Sequence, residues 1–270
     1  MAKSTYIYYP TGEIEKTIVN SIWRLSESEL HTRKEIILPK GTVEIIVNYS
    51  DQINYINPAQ NVTKQLPVVF VNGINFKPFE LIKTGRQEFL GIQLNSLGLR
   101  LLFNCSAKEF NNSVYDGKEI CPQLCNLANE LFYKHTFNQQ VQLILNWIRT
   151  KIPANNFQSS ICRVQKLMSY NYHQNLSVKK LSEEICLSDR QLRRFSHDWL
   201  GMNTEEFIHY NKYLNCLHLL HHSKQTLTNI GLEAGYYDQS HFIREFKSYT
   251  DLTPKQYQEA NTDIPGHILM

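Results

Sequence analysis

Thr228-Asn229-Ile230-Gly231-Leu232-Glu233-Ala234-Gly235-Tyr236-Tyr237-Asp238-Gln239-Ser240-His241-Phe242-Ile243-Arg244-Glu245-Phe246-Lys247 reads as a short helix, a tight turn and a second helix. Gly235 stands where such a turn needs a left-handed residue, and Asp238 is a good cap for the helix that follows. Phe242 and Phe246, four residues apart, form its inward pair. Gln239, Ser240, His241, Ile243, Arg244 and Lys247 are left on the outer side. The same pattern occurs upstream. Ser177 caps a helix through Ile185, Cys186-Leu187 makes a turn, and Ser188 caps a helix that runs to Gly201. There Leu192, Phe195 and Trp199 point inward, while Arg190, Arg193, Arg194 and His197 point out with Gln191 beside them. Between the two units, Asn203–His222 carries the apolar stripe Phe207, Tyr210, Leu214, Leu217 and Leu220. A helix of about 20 residues is ~30 Å long, close to the ~34 Å of one turn of DNA.

In a helix-turn-helix the second helix enters the major groove. Closely spaced arginines there suit bidentate contacts to guanine edges and charge-assisted contacts to phosphate. One such helix alone reads more simply as a solvated basic face. Two units at this separation favour duplex DNA.

Upstream, the first ~100 residues read as strands. Glu35–Leu38 leads to the turn Pro39-Lys40-Gly41 and to the β-branched run Thr42–Val47. Pro67–Val71 ends at Asn72-Gly73, Phe79–Lys83 at Thr84-Gly85, and Glu88–Leu94 follows. Short strands at near-regular spacing suggest an antiparallel barrel or sandwich, and a barrel-like form is expected. From Ser96 the period becomes helical, with Leu97, Leu101 and Leu102, then Leu124, Leu127 and Leu131, then Val141, Ile144, Leu145 and Ile148. Pro153-Ala154-Asn155-Asn156 reads as a linker, and a helix is expected over Ile161–Tyr172. The expected fold class is α+β: a β-rich domain over 1–155 with following helices, then an all-helical domain over 159–262.

The chain has 270 residues, 42% hydrophobic and 11% aromatic, which supplies material for packed cores and excludes a disordered chain. No apolar run reaches bilayer length, and the first thirty residues lack signal-peptide features, so a soluble cytoplasmic protein without a membrane partner is expected. Catalytic or metal chemistry finds little support. Cys121 and Cys125 lack a second pair at zinc spacing. Before residue 150 the histidines are only His31 and His135. Glu35 and Glu44 could lend polarity to a ligand site, although outward strand positions are the simpler reading. Cys105 or Cys121 as a methyl acceptor lacks a supporting context. His218, His221 and His222 read as a solvated or DNA-facing helix end before a metal site. No catalytic residue, metal or cofactor is expected.

Residues 159–260 resemble the DNA-binding domain of the AraC family of bacterial transcription regulators. Ile230, Ala234-Gly235-Tyr236, Asp238 through Lys247 and Thr253-Pro254 carry the resemblance, with Ser188, Arg190-Gln191-Leu192, Arg194 and Gly201 in the first unit. It implies that Arg190, Arg193 and Arg194 contact one major-groove segment of double-stranded DNA and that Gln239, Ser240, Ile243 and Arg244 contact the next. Ser196, Gly231, Cys186, Lys212, Cys216 and Asp251 depart from the family pattern, and the pose of the first unit is where those departures bear. Residues 5–150 resemble an N-terminal domain of unassigned function found on some AraC-type regulators. Trp23, Leu38 through Ile46, Val71-Asn72-Gly73 and Leu90 through Leu94 carry this second resemblance. Family analogy implies a small-molecule effector, homodimerisation and contact with RNA polymerase. The alternative is a ligand-binding or protein-interaction module that has lost DNA affinity.

Net charge is +3, but it is unevenly spread. Residues 1–157 hold 16 Lys+Arg against 13 Asp+Glu, whereas residues 158–270 hold 12 against 12. The half expected to bind DNA is neutral, so weak non-specific affinity is expected.

Overall fold

The computed structural model describes residues 3–28, 31–152, 158–169, 177–260 and 264–270; the expected linker at 153–156 lies outside them. The first half runs β1 (Lys3–Tyr8), α1 (Glu13–Lys16), β2 (Val19–Glu27), β3 (Arg33–Ile37), β4 (Val43–Asn48) and β5 (Gln52–Asn57). It continues with β6 (Val62–Gln65), β7 (Val69–Asn72), β8 (Phe79–Thr84), β9 (Gln87–Leu94) and α2 (Ser96–Phe103). Then follow β10 (Val114–Asp116), α3 (Gly117–Ile120), α4 (Gln123–Phe132) and α5 (Phe137–Lys151). The helical half comprises α6 (Gln158–Ser169), α7 (Val178–Ile185), α8 (Asp189–Leu200) and α9 (Thr204–His222). It ends with α10 (Leu227–Glu233), α11 (Gln239–Thr250), α12 (Pro254–Glu259) and the strand β11 (His267–Leu269).

The strands form two antiparallel sheets, ordered β1-β2-β9-β4-β7-β10 and β11-β3-β8-β5-β6. This corrects the barrel-like expectation to a sandwich. Among the described residues no strand of one sheet hydrogen-bonds to the other, so the cylinder does not close. Central β4 is buried at all six positions, as its β-branched run demands. Val43, Ile45 and Val47 face the helices, in the same core as Leu97, Leu124 and Ile144. Ile46 faces the second sheet, in a smaller core with Phe70, Phe79 and Phe89. Alternation therefore turns Glu44 toward the second sheet as well.

β1, β2 and β11 had no clear strand signal beyond the neighbourhood of Trp23. β11 follows the last helix yet pairs with β3, through His267↔Ile37 and Leu269↔Glu35. The helical half follows its caps. Ser177, Ser188, Asn203, Thr226, Asp238 and Thr253 each accept a backbone N–H of the helix they open. Thr226, and not Thr228, opens α10.

One core runs from the first sheet through to Phe246 and Tyr257. Its most polar link is at the Pro39–Gly41 turn. Tyr213 donates its hydroxyl to the Pro39 carbonyl (2.8 Å). The Tyr210 hydroxyl accepts from the Gly41 N–H (3.0 Å) and donates to the Asn75 carbonyl (2.7 Å). Gly41 has φ +69°, and a Cβ there would stand 2.6 Å from Leu214 Cδ1, so the turn and α9 approach as closely as glycine allows.

Tyr213→Phe leaves the Pro39 carbonyl buried without its partner. It should cost about 1–3 kcal/mol, read as a lower urea midpoint; an unchanged midpoint would deny this link its weight.

Candidate functional site

The first unit packs a short α7 against α8 across a turn at Cys186, which takes φ +57°. Arg190 and Arg194 are exposed on α8, with no partner among the described residues. Arg193 is exposed but ion-paired with Glu205 of α9 (2.6 Å). Gln191 serves a different purpose: its Oε1 accepts from the Ser188 N–H (3.0 Å), completing a capping box. The Ser188-x-x-Gln191 spacing carried that signal in the sequence. In the second unit, Gln239, Ser240 and Arg244 are exposed on α11 and Ile243 is half-buried. Gly235 adopts φ +83°, as the turn requires. Outward-facing His241 is instead tied to Glu245 (3.3 Å). Glu245 also contacts His209 of α9 (3.0 Å) and accepts from the Tyr236 hydroxyl (3.0 Å), bracing α11 on α9.

The departures from the family pattern have local explanations. Ser196 is 1% exposed, with its hydroxyl 3.3 Å from that of Thr204. Phe195 stacks on Trp199 (5.9 Å between centroids), and Arg100 of α2 lies over the Trp199 ring (5.8 Å). α8 is thus held from behind by the N-terminal half. Lys212 donates to the Gly235 carbonyl (2.9 Å). Asp251 takes a left-handed φ of +59° and pairs with Lys77 (3.3 Å). Cys216 is buried, and burial pushes its thiol above the ordinary range. Gly231 leaves room for Phe242, whose Cδ1 would lie 3.1 Å from an added Cβ.

Between the two sheets lies a cavity of about 620 Å³. Its first-sheet face carries Trp23, Ile46 and Phe70 together with Glu44. Its second-sheet face carries Glu35 and Lys83, with Lys40 and His267 at one end. Glu35 and Glu44 are therefore inward and buried, at 4% and 6% exposure, which corrects the outward reading. The second sheet covers the face that strand alternation alone left unassigned. Glu35 is ion-paired with Lys83 and hydrogen-bonded to His267 (2.5 Å). Burial alone would raise the Glu35 carboxyl, but His267 and the Lys83 charge hold it well below the usual carboxylate range. A carboxylate can only accept and an ammonium can only donate. His267 thus gives its Nδ1–H to Glu35 and accepts from Lys40 at Nε2 (2.9 Å).

Among the described residues no group of three or more His, Cys, Asp or Glu is placed to hold a metal ion, the His218–His222 cluster included. Nor is any helix among them long and apolar enough to cross a membrane.

A helix-turn-helix domain model matches residues 181–260, and that of a domain of unknown function, DUF6597, matches residues 8–116. The chain is similar to an HTH-type transcriptional regulator of Haemophilus influenzae, 22% identical over 192 residues, covering 71% of this chain and 62% of that protein. It is also similar to the HTH-type transcriptional activator RhaR of Escherichia coli, 22% identical over 142 residues, covering 52% of this chain and 50% of that one. The chain thus spans less than two thirds of the length of these relatives. Among solved structures, ToxT from Vibrio cholerae matches with a TM-score of 0.51 at 12% identity, over 96% of this chain and 98% of that one. The likeness shows a shared fold.

Burial, then the Lys40 charge, lowers His267 to about 4 from its ordinary 6.5, although Glu35 opposes the shift. Below pH 6.5 the unfolded chain takes up this proton and the folded chain does not. The stability conferred by neutral His267 should be complete above pH 6.5 and be lost as pH falls toward 4. Burial and its neighbours His222 and His218 lower His221 as well, so the comparison must isolate His267. Thermal melts across that window should fall less steeply for His267→Asn than for the parent chain; parallel curves would remove His267 from the account.

Proposed function

Since the chain carries an AraC-type helix-turn-helix domain at 181–260 and a DUF6597 domain at 8–116, we propose that it is a sequence-specific DNA-binding transcription regulator. The observation that carries this reading is the pairing of α8 and α11. Both are 12-residue helices with side-chain caps, exposing donors on one face and joined by the 19-residue α9. A helix of that length spans ~28 Å, which suits successive major-groove segments on one face of a duplex. Arg190 and Arg194 would read the first segment, and Gln239, Ser240, Ile243 and Arg244 the second. Arg193, already paired with Glu205, would exchange that carboxylate for a phosphate.

Loss of DNA affinity is the competing reading, and Ser196, which departs from the family pattern on α8, would be its motive. The Ser196–Thr204 contact and the Phe195–Trp199 stack keep α8 packed, so the substitution leaves the reading face in place. In this reading the protein works in the cytoplasm as a regulator and not as an enzyme. It divides near residues 155–159, and a second copy and RNA polymerase are its further partners.

A small effector in the inter-sheet cavity would modulate DNA binding. Two routes support this. Lys40 lines the cavity between Pro39 and Gly41, which α9 holds through Tyr213 and Tyr210. His267 and Leu269 also line it, from the strand that follows α12.

Selection of bound sequences from random duplex DNA should recover a defined site. At that site Arg194→Ala or Arg244→Ala should cost about 1–3 kcal/mol and relax preference at one position. Lys247→Ala should weaken all sequences alike and reduce the salt slope by about one. Absence of salt-dependent duplex binding would sink the reading.

A further inference from the structure

The floor of the cavity has one polar row in an otherwise apolar surface. Ser21 pairs with Gln93, Gln93 with Glu44, and Glu44 with Asn72, so these four side chains lie side by side across β2, β9, β4 and β7. The next row is Trp23, Gly91, Ile46 and Phe70. Gly91 lets the Trp23 indole lie directly on the backbone, since a Cβ would stand 2.1 Å from its ring. The polar row is partly satisfied within itself and by a neighbour. The Ser21 hydroxyl donates to Gln93 Oε1 (3.2 Å), and Asn75 donates to Asn72 Oδ1 (3.0 Å). Glu44 differs. At 6% exposure it makes no hydrogen bond or ion pair among the described residues.

The other charges of the cavity are accounted for. Glu27 is paired with Arg33, Glu35 with Lys83, and Lys40 donates to His267. Glu44 is left as a carboxyl that faces the cavity, with aromatic side chains in the next row and no ion-pair partner among the described residues. A ligand cation that lies against it gains a charge-assisted hydrogen bond in surroundings that are largely apolar. Aromatic faces add attraction for a cation and for a flat apolar body.

We infer that the inter-sheet cavity binds an organic amine, whose protonated nitrogen meets Glu44 and whose apolar, ring-bearing body lies against Trp23, Ile46 and Phe70. This deepens the proposed effector role and rests on it only for the consequence at DNA. Gln93 and Asn72 flank Glu44 in the row, and their side-chain oxygens are already engaged by Ser21 and Asn75, so Glu44 is the acceptor that the row leaves for the ligand. A carboxylate ligand is disfavoured there, because it would place like charge against Glu44.

The test uses the full chain and calorimetric titration with 2-phenylethylamine, tryptamine and benzyltrimethylammonium. Phenylacetate, indole-3-acetate and benzyl alcohol serve as matched anions and neutral analogue. At least one of the two primary amines should bind, at least tenfold more tightly than its anionic or neutral counterpart, and more tightly than benzyltrimethylammonium, which has no N–H to donate. Glu44→Gln, which keeps the shape and removes the charge, should erase that preference while leaving the thermal midpoint within a few degrees. Trp23→Leu should weaken the ring-bearing cations without reversing their preference over anions. Anions binding as well as cations, no cation binding at millimolar concentration, or Glu44→Gln leaving the preference intact would each overturn the inference. DNA affinity is measured separately with the bound amine. A bound amine that leaves DNA affinity unchanged would overturn the effector reading while the amine site stands.

Discussion

Two tyrosine hydroxyls on α9 hold the Pro39–Gly41 turn, and much of the molecule's arrangement depends on that contact. Tyr210 and Tyr213 are buried at the centre of an aromatic cluster with Phe76, Tyr249 and Phe246. Hydroxyls buried among rings are tolerated because the turn and the Asn75 carbonyl satisfy them. The result is a polar contact inside an apolar interface, and such contacts fix geometry because any displacement leaves buried groups unpaired. Sliding α9 against the sheet would break three hydrogen bonds at once and drive Leu214 into Gly41. The helix that sets the separation of α8 and α11 is therefore referenced to the strand-rich half.

The same logic explains which parts of the structure were legible in the sequence. Helix caps and three- to four-residue periodicity are local, so Ser177, Ser188 and Asp238 announced their helices correctly. The turn at Gly235 was legible for the same reason. Sheet closure is non-local. Strand alternation shows that Glu44 and Ile46 share a face, but only the second sheet decides that this face is covered. Hence the barrel expectation became a sandwich, and Glu35 and Glu44 moved from outside to inside. β11 carried no pattern that three residues could display. At the candidate interface the exposure of Arg190, Arg194, Gln239, Ser240 and Arg244 was legible from the inward stripes. The pairing of Arg193 with Glu205 was not, since it joins two helices across a turn.

Charge in the helical half looks balanced as a count and unbalanced as a placement. Several of its acids are committed internally. Glu206 accepts from the Asn203 N–H, Glu245 braces α11, and Asp238 caps it. Glu205 is engaged by Arg193 and Asp251 by Lys77. Arg190, Arg194, Arg244 and Lys247 have no such partners among the described residues. These four cations are thus gathered on two narrow faces, while the capping carboxylates of Glu206 and Asp238 keep their charge. Such an arrangement favours contacts that depend on position over general attraction to phosphate.

A cavity ligand can shift DNA affinity only by as much as its own affinity differs between two arrangements of the protein. The structure limits where that difference can arise. The floor that carries Glu44 lies at the centre of a six-stranded sheet, with β4 paired on both sides and backed by helices. A floor held on every side recognises a ligand without moving. The wall that carries the Lys40–His267 pair is built differently. There His267 and Leu269 enter on a three-residue edge strand paired to β3 alone, and Lys40 enters on the turn gripped by α9. Both belong to, or are bonded to, the helical half. A ligand that bridges Glu44 and the Lys40–His267 pair would touch a wall held on every side and a wall continuous with the helices that hold α8 and α11. In the proposed reading, contact with the second wall, more than affinity at Glu44, would carry occupancy to DNA.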